Sequence, residues 1–145
     1  MSWTPPSPAW SALLPDFLAR EAMHGEITSW LPLSPATTAE ELPQAFAAHS
    51  VVVVHFWAIW NGHDRRMDAT IQAVRPHYAD RIAFYAMDVD LESNWPLLRQ
   101  YRVMSIPAIA CFIHGTWLET SVGALSIVQL YAKLQAWLEI AASWQ

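Results

Sequence analysis

The sequence predicts an α/β domain, and three observations carry that reading. From Val51 onward, apolar runs of strand length alternate with helical patterns in the order βαβαββα. The run Val51 to Trp57 opens with four valines and contains no Asp, Glu, Lys or Arg, as a strand covered on both faces requires. The terminal segment Ser126 to Ala142 places Ile127, Leu130, Leu134, Trp137 and Leu138 on one face, the stripe of an amphipathic helix.

Element by element, residues 1–8 are rich in Pro and Ser and are expected to be loosely ordered. Trp10, Leu13, Leu14, Phe17 and Leu18 share one helical face, predicting an N-terminal helix over about 10–24 with Pro15 in its first turn and Gly25 at its end. Ile27 to Leu33 has the pattern of a short first strand, so residues 1–34 are expected to form an extension and 35–145 the main domain. Thr38 and Glu41 have capping-box spacing and predict a helix from there to Ala48. After the valine-rich strand, a helix is expected from Asn61 to Tyr78, bent or ended near Pro76. Then come a strand over Ile82–Val89, a short helix over Asn94–Tyr101 and a strand over Ala108–His114. Gly115-Thr116 marks a hairpin turn into Trp117–Val122.

Composition narrows the function classes. The chain has 145 residues, enough for one domain with a sizeable core. It is 54% apolar and only 14% charged, with nine tryptophans, which suggests apolar surface covered by a protein partner or a second copy in a homodimer. The net charge of −5 counts against nucleic acid, because no basic stripe is present to neutralise phosphates. It equally gives no support to binding at an anionic membrane. No apolar run approaches the roughly 18 residues of a membrane span. MSWTPPSPAW lacks the basic start and apolar core of a signal peptide, and Cys111 is the single cysteine, so the expectation is a cytoplasmic protein without cofactor.

Several landmarks then converge. Phe56-Trp57-Ala58, Trp60 and Gly62 lie around the pentapeptide Trp60-Asn61-Gly62-His63-Asp64, Ile106-Pro107-Ala108 opens a later strand, and Val122-Gly123-Ala124-Leu125-Ser126 precedes the last helix. In this order and spacing the chain resembles the thioredoxin family over roughly residues 35–142. The resemblance implies a central mixed sheet flanked by helices, here with an extra N-terminal helix, and a cis bond before Pro107. It also implies a peptide-docking groove built from Trp60, Ile106, Pro107, Val122, Gly123 and Ala124. The departures are as specific as the matches. Asn61 and Asp64 stand where the family keeps the two cysteines of its redox motif. His55 stands at the position of a buried carboxylate, and Ala86 at that of its neighbouring lysine.

The simplest role for Asn61 and Asp64 is capping of the following helix, as a shortened capping box. A sharper expectation is that Asp64 faces His55. If the two form an ion pair, the Asp64 pKa falls and that of His55 rises on folding. No nucleophile lies beside them, so acid–base catalysis is disfavoured. His55, His63 and Asp64 lack a metal-ligand spacing signature. Cys111, in the run Ile109 to Ile113, reads as a small core hydrophobe. Arg65, Arg66 and Arg75 read as a solvated helix face. Trp3, Trp10, Trp30, Trp95, Trp117 and Trp144 have no assigned place and suggest interface anchors.

The expected function is therefore non-covalent protein or peptide binding by a redox-inactive thioredoxin-like protein, as an adaptor, assembly factor or chaperone. The alternative is a residual enzyme built on His55 and Asp64 or on Cys111. A spliceosome-type thioredoxin-fold protein, which also lacks the cysteine pair, fits the Ile106-Pro107 and Val122–Ser126 matches and the acidic balance less well.

Overall fold

The computed structural model describes residues 30–144. Four strands form one mixed sheet in the order β2-β1-β3-β4. Strand β1 (Val51–Trp57) pairs parallel with β2 (Ala83–Asp88) and antiparallel with β3 (Ala108–Ile113), which pairs antiparallel with β4 (Thr116–Val122). Every residue of β1 and β3 is buried, which is why both read as continuous apolar runs. The β3–β4 register slips at Cys111/Phe112, an irregularity that alternation alone does not reveal.

Helices cover both faces. On one side, α2 (Gly62–Val74) and α4 (Ile127–Ser143) bury Met67, Ile71, Leu130, Leu134 and Trp137 against Val51, Val53 and Ile109. On the other, α1 (Leu42–Ala48) and α3 (Trp95–Gln100) bury Leu42 and Leu98 against Val52, Val54, Phe56 and Phe112. Alternate residues of β1 thus feed two separate cores, the period-two rule of a pleated strand.

Several boundaries differ from expectation. Thr38 does cap the turn, accepting the Glu41 N–H through Oγ1 at 3.3 Å, but α1 itself begins at Leu42 with Pro43 in its first turn. The break expected near Pro76 is present: α2 ends at Val74, and a 3₁₀ turn over Arg75–His77 follows because Pro76 has no N–H to continue the ladder. The hairpin turns at His114-Gly115, with φ of 50° and 79°, one residue earlier than expected. Two successive left-handed residues match the twist of the flanking strands. Ile127, placed on the buried stripe by periodicity, is 48% exposed in the first turn of α4.

The expected first strand is absent where it can be described. Residues 30–35 are irregular, and only Ala36 bridges to Ala86 on β2. The physical reason is a competing tether. The Leu33 N–H donates to both carboxylate oxygens of Asp68 on α2, at 3.3 and 3.2 Å, and this draws the chain off the sheet edge. The expected helix over 10–24, residues 27–29 of that strand, Trp3 and Trp10 lie outside the described residues.

Candidate functional site

The site lies where β1 ends and α2 begins. Ala58 closes the strand, the Asn61 N–H donates to the Ala58 carbonyl at 3.1 Å, and Asn61 becomes the N-cap of α2. Its Oδ1 accepts the His63 N–H at 2.9 Å, satisfying one of the donors that a helix start leaves open. Its Nδ2 donates to the Ile106 carbonyl at 3.4 Å, so one side chain links the helix start to the loop before β3.

Only half of the expected capping box exists. Asp64 does not reach back to the Asn61 N–H. It turns inward, fully buried, where Oδ1 lies 3.1 Å from His55 Nε2 and Oδ2 accepts the Ala58 N–H at 3.1 Å. Which of the two donates in the His55–Asp64 bond follows the imidazole tautomer and the carboxyl's protonation, while His55 Nδ1 meets no partner among the described residues. The structure therefore joins His55 and Asp64, but the electrostatic expectation of a lowered Asp64 pKa is corrected. Burial raises it, and that effect outweighs the hydrogen bond and charge of His55 and the Ala58 N–H, which all favour the carboxylate. Both side chains are sealed from solvent, at 1% and 0% exposure, so neither reaches a substrate in this conformation.

Trp60, half-buried, donates its indole N–H to Asp90 Oδ1 at 3.2 Å. Burial pushes Asp90 up to about 6, assisted by the neighbouring charges of Asp88 and Asp64 and opposed by the Trp60 bond. Asp88 is raised by burial as well, and it accepts the Asp90 N–H at 2.8 Å. This acidic layer under the loop was not expected. Its signal in the sequence is the Asp88-x-Asp90 pair at the end of a strand. Trp30, expected as an interface anchor, is instead buried within the domain. It packs edge-on against Trp57 with ring centroids 5.2 Å apart, touches Ala86, and donates to the Ile59 carbonyl at 3.0 Å.

The remaining groove positions gather beside the loop. The Ile106–Pro107 bond is cis, and Ile106 and Trp60 pack against the same core cluster. The Pro107 carbonyl accepts the Gly123 N–H at 2.8 Å, and Ala108 pairs with Val122. Gly123 has φ of 110°, a conformation that side-chain-bearing residues rarely adopt. Val122 and Met104 are exposed at 37% and 40%, Ala124 is exposed, and Pro107 is buried. Cys111 is buried in β3, where desolvation pushes its thiol up to about 12 with a smaller contribution from Glu119. Among the described residues, no group of three or more His, Cys, Asp or Glu side chains is arranged to hold a metal ion.

The profile of the thioredoxin family matches residues 34–136. This chain belongs to the thioredoxin family. Among similar proteins, thioredoxin M2, chloroplastic, of Arabidopsis thaliana is 37% identical over 87 residues, covering 60% of this chain and 46% of that protein. The chain thus matches about half the length of this relative. Thioredoxins of Acidithiobacillus ferridurans and Griffithsia pacifica are 36% and 33% identical, each covered over 79% of its length. Within this thioredoxin-family domain, Asn61 and Asp64 are the residues that the β1–α2 junction presents, one as a cap and one as a buried acceptor. No helix among the described residues is long and apolar enough to cross a membrane.

Proposed function

We propose that this chain is a redox-inactive member of the thioredoxin family that acts in the cytoplasm by non-covalent binding of protein segments, as an adaptor, assembly factor or chaperone. The observation that carries this reading is the division of labour at the β1–α2 junction. Asn61 and Asp64, at the two thiol positions, are committed to capping and to buried hydrogen bonds. Beside them, Val122 and Met104 remain exposed and Trp60 and Ile106 half-exposed. A surface of this kind takes an extended apolar peptide, with backbone groups providing direction and side chains providing area.

The test compares wild type with a Trp60→Ala/Ile106→Ala double variant in pull-downs from cell lysate. Partners captured by the wild type are expected to be lost from the variant, and identical partner sets would overturn the groove. In the insulin-reduction assay with dithiothreitol, no acceleration over the reductant alone is expected. Catalysed precipitation would refute the redox-inactive part of the reading.

A further inference from the structure

Among the described residues, strand β2 is an outer strand of the sheet, and its outer edge is paired only in part. The Ala86 N–H donates to the Pro35 carbonyl and the Ala86 carbonyl accepts the Thr37 N–H, both at 2.9 Å. Backbone groups alternate sides along a strand, so the N–H and C=O of Phe84, two residues earlier, face the same edge. No backbone partner from the described residues meets them, because the chain before Pro35 is diverted towards Asp68 on α2. Phe84 is nonetheless only 4% exposed. Unpaired backbone groups in such a setting call for a partner.

An open cleft of about 420 Å³ runs along this stretch, at the end of β1 opposite the Asn61 loop. Its two sides differ. On the α2 side, where Phe84 packs, stand Arg75 and Arg81; on the α1 side stand Tyr85, His49 and Ala48. Among the cleft's described lining residues Asp80 is the one acidic side chain, in a chain whose net charge is −5. Its Oδ1 lies 3.6 Å from Arg81 Nε in an exposed ion pair of the weak surface kind, which an incoming carboxylate has to displace. A strand added here would send successive side chains to opposite faces, alternately towards the arginines and towards Tyr85.

We propose that the β2 edge at Phe84 is a second docking site, which takes an extended segment of a partner protein with acidic and apolar residues in alternation. The segment pairs with the N–H and C=O of Phe84, sets its carboxylates against Arg75 and Arg81, and rests its apolar side chains on Tyr85 and Ala48. Carboxylate–guanidinium hydrogen bonds supply selectivity, and the ladder supplies direction.

The test is a titration of the full chain, labelled with nitrogen-15, with the peptides acetyl-VEVEV-amide and acetyl-VKVKV-amide. The acidic peptide is expected to shift the Phe84 and Tyr85 amide signals and to slow exchange of the Phe84 N–H, while the lysine peptide does neither. Arg75→Gln/Arg81→Gln is expected to weaken the acidic peptide by at least about tenfold. Arg75→Glu/Arg81→Glu is expected to reverse the preference to the lysine peptide, a readout that a misfolded variant would not produce. Equal binding of both peptides, no shift at millimolar peptide, or shifts confined to Trp60, Ile106 and Val122 would overturn the proposal. Protection of the Phe84 N–H in the free protein would also overturn it. Protection independent of concentration would assign the edge to the chain's own first residues, and concentration-dependent protection to a second copy.

Discussion

Asp64 makes two hydrogen bonds at zero exposure, one with His55 and one accepted from the Ala58 N–H, and yet burial holds its pKa above the ordinary value. A carboxyl raised in the folded state contributes stability that is complete below its unfolded value and lost as pH climbs through the folded one. Asp64→Asn is therefore expected to flatten the pH dependence of unfolding from about 3.8 upward. Asp64→Ala strands His55 Nε2 and the Ala58 N–H and is expected to cost about 3 kcal/mol in urea denaturation. Asp90 follows the same sign, with its window running from 3.8 to about 6. The Trp60 indole N–H resonance, which reports on the Asp90 bond, is expected to titrate near 6 and to stop doing so in Asp90→Asn. The tryptophans illustrate how a residue count misleads at this scale. Trp30, Trp60, Trp95, Trp117 and Trp137 each donate the indole N–H to a protein acceptor, so they serve the fold's own satisfaction, and only Trp144 among the described ones is exposed.

At the scale of elements, helix starts and one cross-element clamp carry the specific interactions. Ser126 forms a full capping box with Gln129 at the start of α4, whereas Asn61 caps α2 alone. Ser126→Ala and Asn61→Ala are each expected to lower stability by about 1 kcal/mol in thermal or urea unfolding. Glu119 on β4 accepts from Lys133 Nζ at 2.9 Å and Trp137 Nε1 at 2.8 Å, tying α4 to the sheet edge. Partial burial works to raise the Glu119 pKa, but the bonds from Trp137 and Lys133 together hold it below its ordinary value. That contribution is present above the unfolded value of 4.5 and is lost as pH falls through the folded one. Glu119→Gln is accordingly expected to differ from wild type at neutral pH and to converge with it in acid. Element positions were largely legible in the sequence because strands buried on both faces and amphipathic helices leave strong periodic signals. The end of α2 at Pro76 was legible too, but the start of α1 and the course of residues 30–35 were not, because Pro43 in the first turn and the Asp68–Leu33 tether act on the backbone in ways that hydropathy does not register.

For the whole molecule, one sheet serves two cores that share β1 and β3. Leu134→Ala on one face and Met87→Ala on the other are each expected to cost about 2–5 kcal/mol, since both side chains are fully buried. Because β1 contributes to both clusters, each variant should lower the urea midpoint of a single transition measured alike by fluorescence and circular dichroism. The two proposed binding surfaces lie at opposite ends of β1, one at the Asn61 loop and one at the start of β2. An adaptor needs such separation, because a partner at one site then leaves the other open.

The sequence by itself determined the order of elements from Val51 onward, the buried character of β1 and β3, the membership of the α/β class and the capping role of Asn61. These follow from local periodicity and short-range backbone geometry, which act within a few residues. The pairing of His55 with Asp64 was inferable only by laying the chain on a family pattern, and the direction of the Asp64 pKa was not inferable at all. Desolvation depends on everything packed around a group, so only the tertiary structure decided that burial outweighs the histidine. The same holds for the acidic layer beneath Trp60, the Trp30–Trp57 contact and the edge at Phe84, which no backbone group of the described residues pairs. Each arises from segments tens of residues apart, whose meeting leaves no periodic mark in the sequence.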